Sequence, residues 1–431
     1  MKNNPHPLFD TLEYVQEQTK QCQLDNPEHI ISLWLKQCFS GSEFKIADYA
    51  YKDYHHTLNF LYSYRGSQDT FNSYRRELER LIQWCWLIKD KSVLKLKRTD
   101  IEEFIEFCQK PDKKWVGIKT VARFIEDGGL RKPNPLWRPF IVKISKKSFQ
   151  DGNRPEKIDF QLSSEAIKQI FAILGSFYNY LIQEEITETN PVLQIRQKSK
   201  FVRKQQESTV IRRLSETQWR AVMDTAASLA NQDPALHERT LFITHALYGM
   251  YLRISELAAT TRWTPTMRDF FKDSNGDWWF KTVGKGNKMR QIAVSPSMFD
   301  ALKRWRNHLG MSPLPSIDDQ TPLIPKAIGK GPIKSTRAIR NIVQTCFDKA
   351  VENLINEDKS EEAELLRSAT VHWLRHTGIS DDVKVRPREH VRDDAGHSSG
   401  AITDRYIDVE LKARAKSSAK KKVMTSNAEC E

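Results

Sequence analysis

The chain lacks the features that mark several classes of protein. Its 431 residues contain no apolar run that approaches the length of a membrane span, and residues 1–5 lack the apolar core of a signal peptide. The six cysteines form no C-x-x-C pair and show no ligand-like spacing with histidine, which argues against a zinc site or a disulfide framework. We therefore expect a cytoplasmic protein with buried, reduced thiols and no metal or other cofactor.

Phosphate-binding glycine loops are missing as well. Gly284-Lys285-Gly286 lacks the spacing of a Walker A loop. The segment 329–336 fails because Ile333 stands where that motif needs a glycine before the lysine. We expect it to be a basic loop that precedes a helix over residues 336–351.

Positive charge is what the chain has in excess. It contains 68 Lys and Arg against 55 Asp and Glu, a net charge of +13 and a pI of about 9.3. With 39% hydrophobic residues, the length is sufficient for two or three domains with proper cores. An acidic polymer such as double-stranded DNA is a reasonable partner, although charge alone leaves that question open.

The first half has a helical pattern. Apolar residues recur at helical spacing in residues 67–84 and 163–183, and a capping box is predicted at Thr99 and Glu102. We assign residues 48–197 to one helical domain. We expect residues 1–47 to form a helical N-terminal extension. We favour a role in packing or assembly over recognition of DNA.

Residues 110–161 form an insertion that interrupts the helical pattern with several prolines, among them Pro133, Pro135, Pro139 and Pro155. It could be a solvated loop, but aromatic residues alternate with cations, which favours DNA contact. These aromatic residues are Trp115, Trp137 and Phe140. A basic linker, residues 198–213, could track a phosphate backbone. The cations that we expect to contact DNA are Lys143, Lys146, Lys147, Arg203, Lys204, Lys288 and Lys334.

The second half, residues 214–408, predicts a separate domain followed by a basic tail, residues 409–431. Residues 214–219 have the pattern of a capped helix start, and a helix is predicted over residues 241–259. Residues 278–294 predict a β-hairpin whose glycines place Lys285 at the tip.

Six residues of this domain can form a site that attacks a phosphodiester without a metal. They are Arg253, Lys285, His372, Arg375, His397 and Tyr406. A tyrosine hydroxyl has a pKa of about 10, so it is a weak nucleophile until a neighbour accepts its proton. Two arginines could bind the non-bridging oxygens, and a lysine on a turn could protonate the leaving sugar oxygen. The histidines could orient the phosphate and accept the tyrosine proton.

The sequences around these residues resemble the motifs of the tyrosine recombinase (phage integrase) family. The motifs are Arg253-Ile-Ser-Glu-Leu, Gly284-Lys-Gly-Asn-Lys, His372-x-x-Arg375-His376 and Gly396-His397 followed by Tyr406, in the family's order. The resemblance implies a mainly α fold with a small β-sheet or hairpin. In it, a helical core-binding domain and an α+β catalytic domain form a C-shaped clamp on DNA.

The resemblance also implies an activity: site-specific cleavage and rejoining of DNA through a 3′-phosphotyrosine, for integration or excision of a DNA element. It implies a homotetramer on two synapsed DNA sites, with possible accessory DNA-bending or directionality proteins, associated with a prokaryotic nucleoid. Two alternatives remain. A type IB topoisomerase shares the constellation of residues, and a DNA-binding protein with a degenerate site would lack the chemistry.

Two features depart from the family pattern. Residues 380–394 are very polar where an apolar helix is usual, and Pro387 can break a helix. The interval from Arg253 to Lys285 is also long. Lys288 competes with Lys285 for the role of the acid. We interpret His376 as structural, because it should lie on another helical face than Arg375.

Overall fold

A computed structural model of the protein describes residues 4–40, 45–195, 201, 212–260, 263–404 and 418. The chain divides into two compact units, residues 1–206 and 207–431, called unit 1 and unit 2 below. None of the helices in the described ranges is long and apolar enough to cross a membrane.

Unit 1 is built from helices joined by short strands. The helices are α1 Leu12–Leu24, α2 Pro27–Cys38, α3 Asp48–Ser63, α4 Gln68–Trp84, α5 Arg98–Gln109, α6 Lys146–Gln150 and α7 Ser164–Gln183. The strands are β1 Val116–Gly117, β2 Phe124–Asp127, β3 Leu130–Pro133 and β4 Phe140–Ile141. Strand β1 pairs with β4 in parallel, and β2 pairs with β3 as an antiparallel hairpin.

The segment before α1 packs into the core of unit 1. Leu8 and Phe9 are fully buried. Their amides donate to Oε1 of Glu79 at 2.5 and 3.1 Å, and the Trp34 indole donates to the Leu8 carbonyl at 2.8 Å. A buried backbone needs such partners because it has lost its water. The N-terminal extension therefore shares its core with α4.

The capping box predicted at the start of α5 is wrong. The helix begins at Arg98, and the carboxylate of Asp100 accepts from the amide of Lys97 at 2.7 Å. The N-cap is therefore Lys97, two residues before Thr99, at which the sequence pattern predicts it. Asp100 and Glu102 can each serve as the acid of a capping box, and the structure uses Asp100.

The aromatic residues of the insertion are core residues. Trp115 and Phe140 are fully buried, and Trp137 is 7% exposed. The guanidinium of Arg80 lies over the Phe140 ring, 4.4 Å from its centroid, and donates to the Pro139 carbonyl. The alternation of aromatic residues with cations therefore does not support DNA contact by these three rings, which pack inside the unit.

Unit 2 is mainly helical, with one small sheet. Its helices are α8 Glu216–Gln232, α9 Pro234–Gly249, α10 Ile254–Leu257, α11 Pro296–His308, α12 Thr336–Asn356, α13 Ser360–Arg367, α14 Val371–Asp382, α15 Arg388–Ala395 and α16 Gly400–Asp404. The antiparallel strands are β5 Phe270–Lys272, β6 Trp278–Val283 and β7 Met289–Ala293. The predicted hairpin is confirmed, as is the mainly α fold with a small β-sheet.

The start of α8 is capped as predicted. The Ser215 hydroxyl accepts from the amide of Gln218 at 3.1 Å, and the Gln218 side chain accepts from the Ser215 amide at 3.0 Å. Each group satisfies a donor that the first helical turn would leave unpaired.

The helix predicted over residues 241–259 is wrong, because the chain breaks in its middle. Helix α9 ends at Gly249, Tyr251 adopts a left-handed conformation with φ 49°, and Arg253 is the N-cap of the short helix α10. Apolar residues occupy both sides of the break, so helical periodicity continues through it in the sequence. Gly378 of α14 allows the break to pack closely, since a Cβ there would overlap the Tyr248 carbonyl.

The apolar cores account for the cysteines. Cys22, Cys38, Cys85, Cys108 and Cys346 are buried free thiols, as predicted for these five positions.

Candidate active site

Four of the six predicted residues line one cavity of about 850 Å³ in unit 2. Its walls come from the start of α10, the β6–β7 hairpin, α14 and the segment after α15. Arg253, His372, Arg375 and His397 lie on these walls, together with His376, Lys288 and Arg290.

Arg253 is held by a buried carboxylate. Glu256, one helical turn away, accepts from the Arg253 amide at 2.8 Å and from its Nη1 at 3.1 Å. Glu256 also binds both terminal nitrogens of Arg290, at 2.6 and 2.8 Å. Burial would raise the pKa of Glu256, but Arg290 and Arg253 keep that pKa below its ordinary value. The Arg253 side chain stays 27% exposed toward the cavity.

Arg375 is held by main-chain oxygens. Its guanidinium donates to the carbonyl of Tyr251 in the break after α9 and to the carbonyl of Ala395 at 2.7 Å. Ala395 is the last residue of α15, whose carbonyls carry partial negative charge and have no partner within the helix. At 4% exposure, Arg375 is fixed by these acceptors.

His397 follows the C-terminus of α15 directly. Gly396 ends the helix in a left-handed conformation, φ 64°, which glycine adopts without steric cost. The His397 ring then lies with Nε2 3.4 Å from Nη2 of Arg375 and Nδ1 2.9 Å from the Thr403 hydroxyl. Because a guanidinium only donates, Nε2 accepts and the proton sits on Nδ1.

The histidines of the cavity are neutral at physiological pH. Burial, followed by the charges of Arg375 and Arg253, lowers the pKa of His397 to about 4. Burial, followed by electrostatic interaction with His372 and Arg375, lowers the pKa of His376 to about 4. Burial also lowers the pKa of His372. The cavity's positive charge therefore comes from Arg and Lys side chains.

His376 lies on the cavity wall, which differs from our interpretation of it as purely structural. Its ring centroid is 6.4 Å from that of His372, one turn earlier on α14. Residues four apart share a helical face, and Arg375 between them reaches the same cavity with a long side chain.

The hairpin carries the two candidate lysines. Lys285 begins a short 3₁₀ turn, Lys285–Asn287, between β6 and β7, in which Gly286 and Asn287 have positive φ. The Lys285 side chain lies outside the described part of the structure. Lys288 is exposed and lines the cavity.

The polar stretch 380–394 forms an internal network. Arg386 donates to Asp394 at 2.6 Å, to Asp382 at 3.2 Å and to the Tyr251 hydroxyl at 2.9 Å. Pro387 separates α14 from α15, as its ability to break a helix predicts. Through Tyr251, this network stabilises the break after α9, where the Tyr251 carbonyl accepts from Arg375.

Sequence reasoning missed Arg290. It is almost fully buried, with a side chain 9% exposed, and its Nε donates to the Asp394 carbonyl at 2.9 Å. The available signal was its place in β7, where alternation directs every second side chain to the same face as the buried Ile292.

Three predicted residues, Tyr406, Arg203 and Lys204, lie outside the described residues. The other expected DNA contacts are spread over both units. Lys143, Lys147 and Lys334 are exposed, and Lys146 is half-buried. Within the described ranges, no group of three or more His, Cys, Asp or Glu side chains could hold a metal ion.

The fold was compared with those of known proteins. A crystal structure of XerH site-specific recombinase, bound to a palindromic difH substrate in a post-cleavage complex, is similar with a TM-score of 0.53. The similarity covers 97% of this chain and 99% of that chain, at 15% sequence identity. The fold is that of a tyrosine recombinase.

Other recombinase structures show weaker similarity. Tn1549 transposon integrase with circular intermediate DNA gives a TM-score of 0.47 at 16% identity, over 85% of this chain and 98% of that one. A lambda integrase dimer bound to a COC′ core site gives 0.46 at 12% identity, over 94% and 91%. No protein-family model matches the sequence, and no curated protein matches it significantly. The fold is recognised through the structural similarity to XerH recombinase and not through similarity over the whole sequence.

Proposed function

We propose that the protein is a tyrosine site-specific recombinase that cleaves and rejoins double-stranded DNA. The observation that carries the proposal is the convergence of Arg253, His372, Arg375 and His397 on one cavity, although up to 144 positions separate them in the sequence. A fold shared at 15% identity would not by itself carry an activity.

In the cleavage step, the Tyr406 hydroxyl oxygen attacks the phosphorus atom. The Tyr406–phosphorus bond forms and the bond to the 5′ oxygen breaks, which leaves a 3′-phosphotyrosine and a 5′ hydroxyl. Arg253 and Arg375 bind the non-bridging oxygens, whose negative charge grows in the transition state. Both guanidinium groups are preorganised, because Glu256 and two main-chain carbonyls already hold them.

Two protons must move in this step. Lys285 donates one to the leaving 5′ oxygen. We propose that His372 accepts the proton of Tyr406 or passes it on, and that His397, whose Nε2 already accepts from Arg375, helps to orient the phosphate. Their lowered pKa values keep both histidines unprotonated at neutral pH, which also makes them weak bases. Rejoining reverses these steps with a 5′ hydroxyl of another strand, so the bond energy is conserved and no ATP is consumed.

The biological role that we propose is integration or excision of a DNA element in a prokaryotic nucleoid. Exchange of strands between two sites requires several active protomers, so we propose a homotetramer on synapsed DNA, with accessory DNA-bending or directionality proteins as further partners. Exposed Lys143, Lys147, Lys288 and Lys334 are proposed contacts to the phosphate backbone, together with Lys146, Arg203 and Lys204.

Trapping of a covalent adduct tests the proposal. A random-sequence duplex pool, retained by the purified protein on native gels, would first provide a bound site. A duplex of that site, nicked beside the cleavage position, should trap wild-type protein as a covalent adduct. Tyr406→Phe should bind equally and form none, since only the nucleophilic hydroxyl is removed.

The outcomes separate the alternatives. An adduct at normal yield with Tyr406→Phe would reject that nucleophile. A wild-type protein that binds but forms no adduct would be a DNA-binding protein without the chemistry. Relaxation of supercoiled plasmids that lack the selected site would favour topoisomerase activity instead.

A further inference from the structure

Arg290 contacts every segment of the cavity that carries a proposed catalytic group on a loop or turn. We propose that Arg290 is a positioning residue that fixes Arg253, the Lys285 turn and His397 relative to one another. This inference rests on the proposed function, because it assigns Arg290 a role in that reaction. Three contacts support it.

The first contact runs through Glu256 to Arg253. Both terminal nitrogens of Arg290 bind the two oxygens of Glu256, at 2.6 and 2.8 Å. The same two oxygens accept from the side chain and the amide of Arg253. The orientation of the Glu256 carboxylate, and with it that of Arg253, is therefore set by the planar fork of Arg290.

The second contact fixes the end of α15. Nε of Arg290 donates to the carbonyl of Asp394, next to the Ala395 carbonyl that Arg375 binds. The missing Cβ of Gly396 would lie 2.8 Å from Cδ of Arg290, so the backbone before His397 packs directly on this side chain. A displaced Arg290 would release the segment from which His397 extends.

The third contact lies under the lysine turn. Arg290 pairs with Thr282 in the β6–β7 register, two residues before Gly284. A Cβ at Gly284 would lie 3.1 Å from Nη1 of Arg290 and 3.2 Å from Oε1 of Glu256. The base of the turn that begins at Lys285 therefore rests on the Arg290–Glu256 pair.

An arginine is required because all three nitrogens of the guanidinium are used. Lysine would keep the charge but could not bind a carboxylate with two parallel bonds and a carbonyl with a third. Arg290→Lys should slow cleavage about 10-fold and Arg290→Met roughly 10²-fold or more, as expected when catalytic groups shift by about 1 Å. Affinity for the duplex should change less than about threefold, since phosphate contacts elsewhere remain.

Arg306→Met is the matched control. Arg306 is also a buried arginine of unit 2, 2% exposed, and it binds a carboxylate, that of Asp319, and the carbonyls of Ser312 and Leu314. It lies outside the cavity lining. Both Met variants should lower the melting temperature, but Arg306→Met should cleave the nicked duplex at the wild-type rate per folded molecule.

A 5′-bridging phosphorothiolate substrate distinguishes positioning of the lysine turn from positioning of the whole site. Its sulfur leaves without a proton, so it should restore cleavage by Lys285→Ala. It should restore Arg290→Met only in part, because Arg253 and His397 would still be displaced. Full restoration would overturn the inference, since Arg290 would then act on the lysine turn alone.

Gly284→Ala provides a test without removal of a charge, should Arg290→Met fail to fold. The added methyl group would press on Arg290 and Glu256 and should slow cleavage, whereas Gly400→Ala, with nothing within 4 Å of its Cβ, should not. Equal rates for Gly284→Ala and Gly400→Ala, or for Arg290→Met and Arg306→Met, would overturn the inference alone. Absence of an adduct with wild-type protein would instead overturn the proposed function, and the inference with it.

Discussion

Glu79 in unit 1 and Glu256 in unit 2 are buried carboxylates, each 1% exposed, that bind several partners. Glu79 binds the amides of Leu8 and Phe9 and the guanidinium of Arg123, which encloses the N-terminal segment in a core. Glu256 binds Arg253 and Arg290, and Arg253 then faces a cavity.

The comparison shows that the role of a buried carboxylate depends on the residues that it binds as well as on its burial. A buried carboxylate is stable only where donors compensate for the loss of its hydration, and both sites meet that condition. Around Glu79 two of the donors are main-chain amides of fully buried residues, Leu8 and Phe9, so the interaction contributes to folding. Around Glu256, the Arg253 side chain stays 27% exposed toward the cavity, so in the proposed function the same kind of interaction prepares a binding group.

The largest effects should come from the arginines that face the cavity. Arg253→Ala and Arg375→Ala should each slow cleavage by roughly 10²-fold or more, as for loss of a preorganised donor in a transition state. Arg123→Ala in unit 1 should leave the cleavage rate of bound DNA unchanged. Single-turnover rates on the nicked duplex would measure this, and near-normal cleavage by either cavity variant would remove that arginine from the site.

The hairpin lysines test which side chain completes the cavity. Lys285→Ala should lose leaving-group protonation, and a 5′-bridging phosphorothiolate should restore cleavage, because sulfur is a much better leaving group. Lys288→Ala should show no such selective rescue. The reverse pattern would assign the acid to Lys288.

Glu79→Gln should affect stability and not chemistry. Removal of its charge-assisted bonds should lower the free energy of unfolding by about 1–3 kcal/mol. Glu103→Gln is the control, because that side chain is 53% exposed in its pair with Lys89 and such pairs contribute about 1 kcal/mol or less. Denaturant unfolding of the full chain would compare them. If Glu79→Gln slowed cleavage by folded protein, the contrast with Glu256 would fail.

Acid should weaken unit 2 through His397. Its folded-state pKa of about 4 lies below the ordinary 6.5, so the unfolded chain takes up a proton that the folded chain does not. The free energy of unfolding should therefore be highest above pH 6.5 and fall as the pH decreases from 6.5 to about 4. His397→Gln should make this pH dependence shallower. An unchanged profile would show that the ring is not held neutral.

The smallest effect should come from the linker. Reversal of Arg203 and Lys204 to Glu should flatten the salt dependence of DNA affinity by roughly 0.9 in log–log slope for each phosphate that the linker no longer neutralises. The control is charge reversal of Lys349 and Lys359, two lysines that already pair with acidic residues, Glu352 and Glu357. Equal slopes for both double variants would show that the linker does not follow the backbone.

Local signals in the sequence predicted much of the fold. The apolar face of α7 and the Ser215 cap of α8 were predictable, because each rests on neighbouring residues. The break after Gly249 was not, because the carbonyl of Tyr251 accepts a hydrogen bond from Arg375, 124 positions away. Periodicity cannot report such a partner.

The sequence motifs predicted four residues of the cavity, but they did not predict Arg290, which holds Glu256 and the end of α15. Arg253, His372, Arg375 and His397 come from short patterns, and the structure brings them together. Arg290 makes its contacts across 34 positions to Glu256 and 104 to Asp394, so no local spacing marks it. The buried rings of the insertion were misinterpreted for a related reason, because aromatic residues among cations look alike in a core and on a surface.

Gly378 limits what a library of variants could contain. The Cβ of any other residue at position 378 would overlap the Tyr248 carbonyl. To relieve this overlap, α14 would have to move away from the turn that follows α9. Arg375 lies three residues earlier on α14 and would no longer reach the Tyr251 carbonyl. Selection for strand cleavage from a library randomised at position 378 should therefore return glycine, even though this residue has no part in the proposed reaction. The absence of a Cβ at Gly378 therefore allows the motif of His372 and Arg375 to pack close to the segment that carries Arg253.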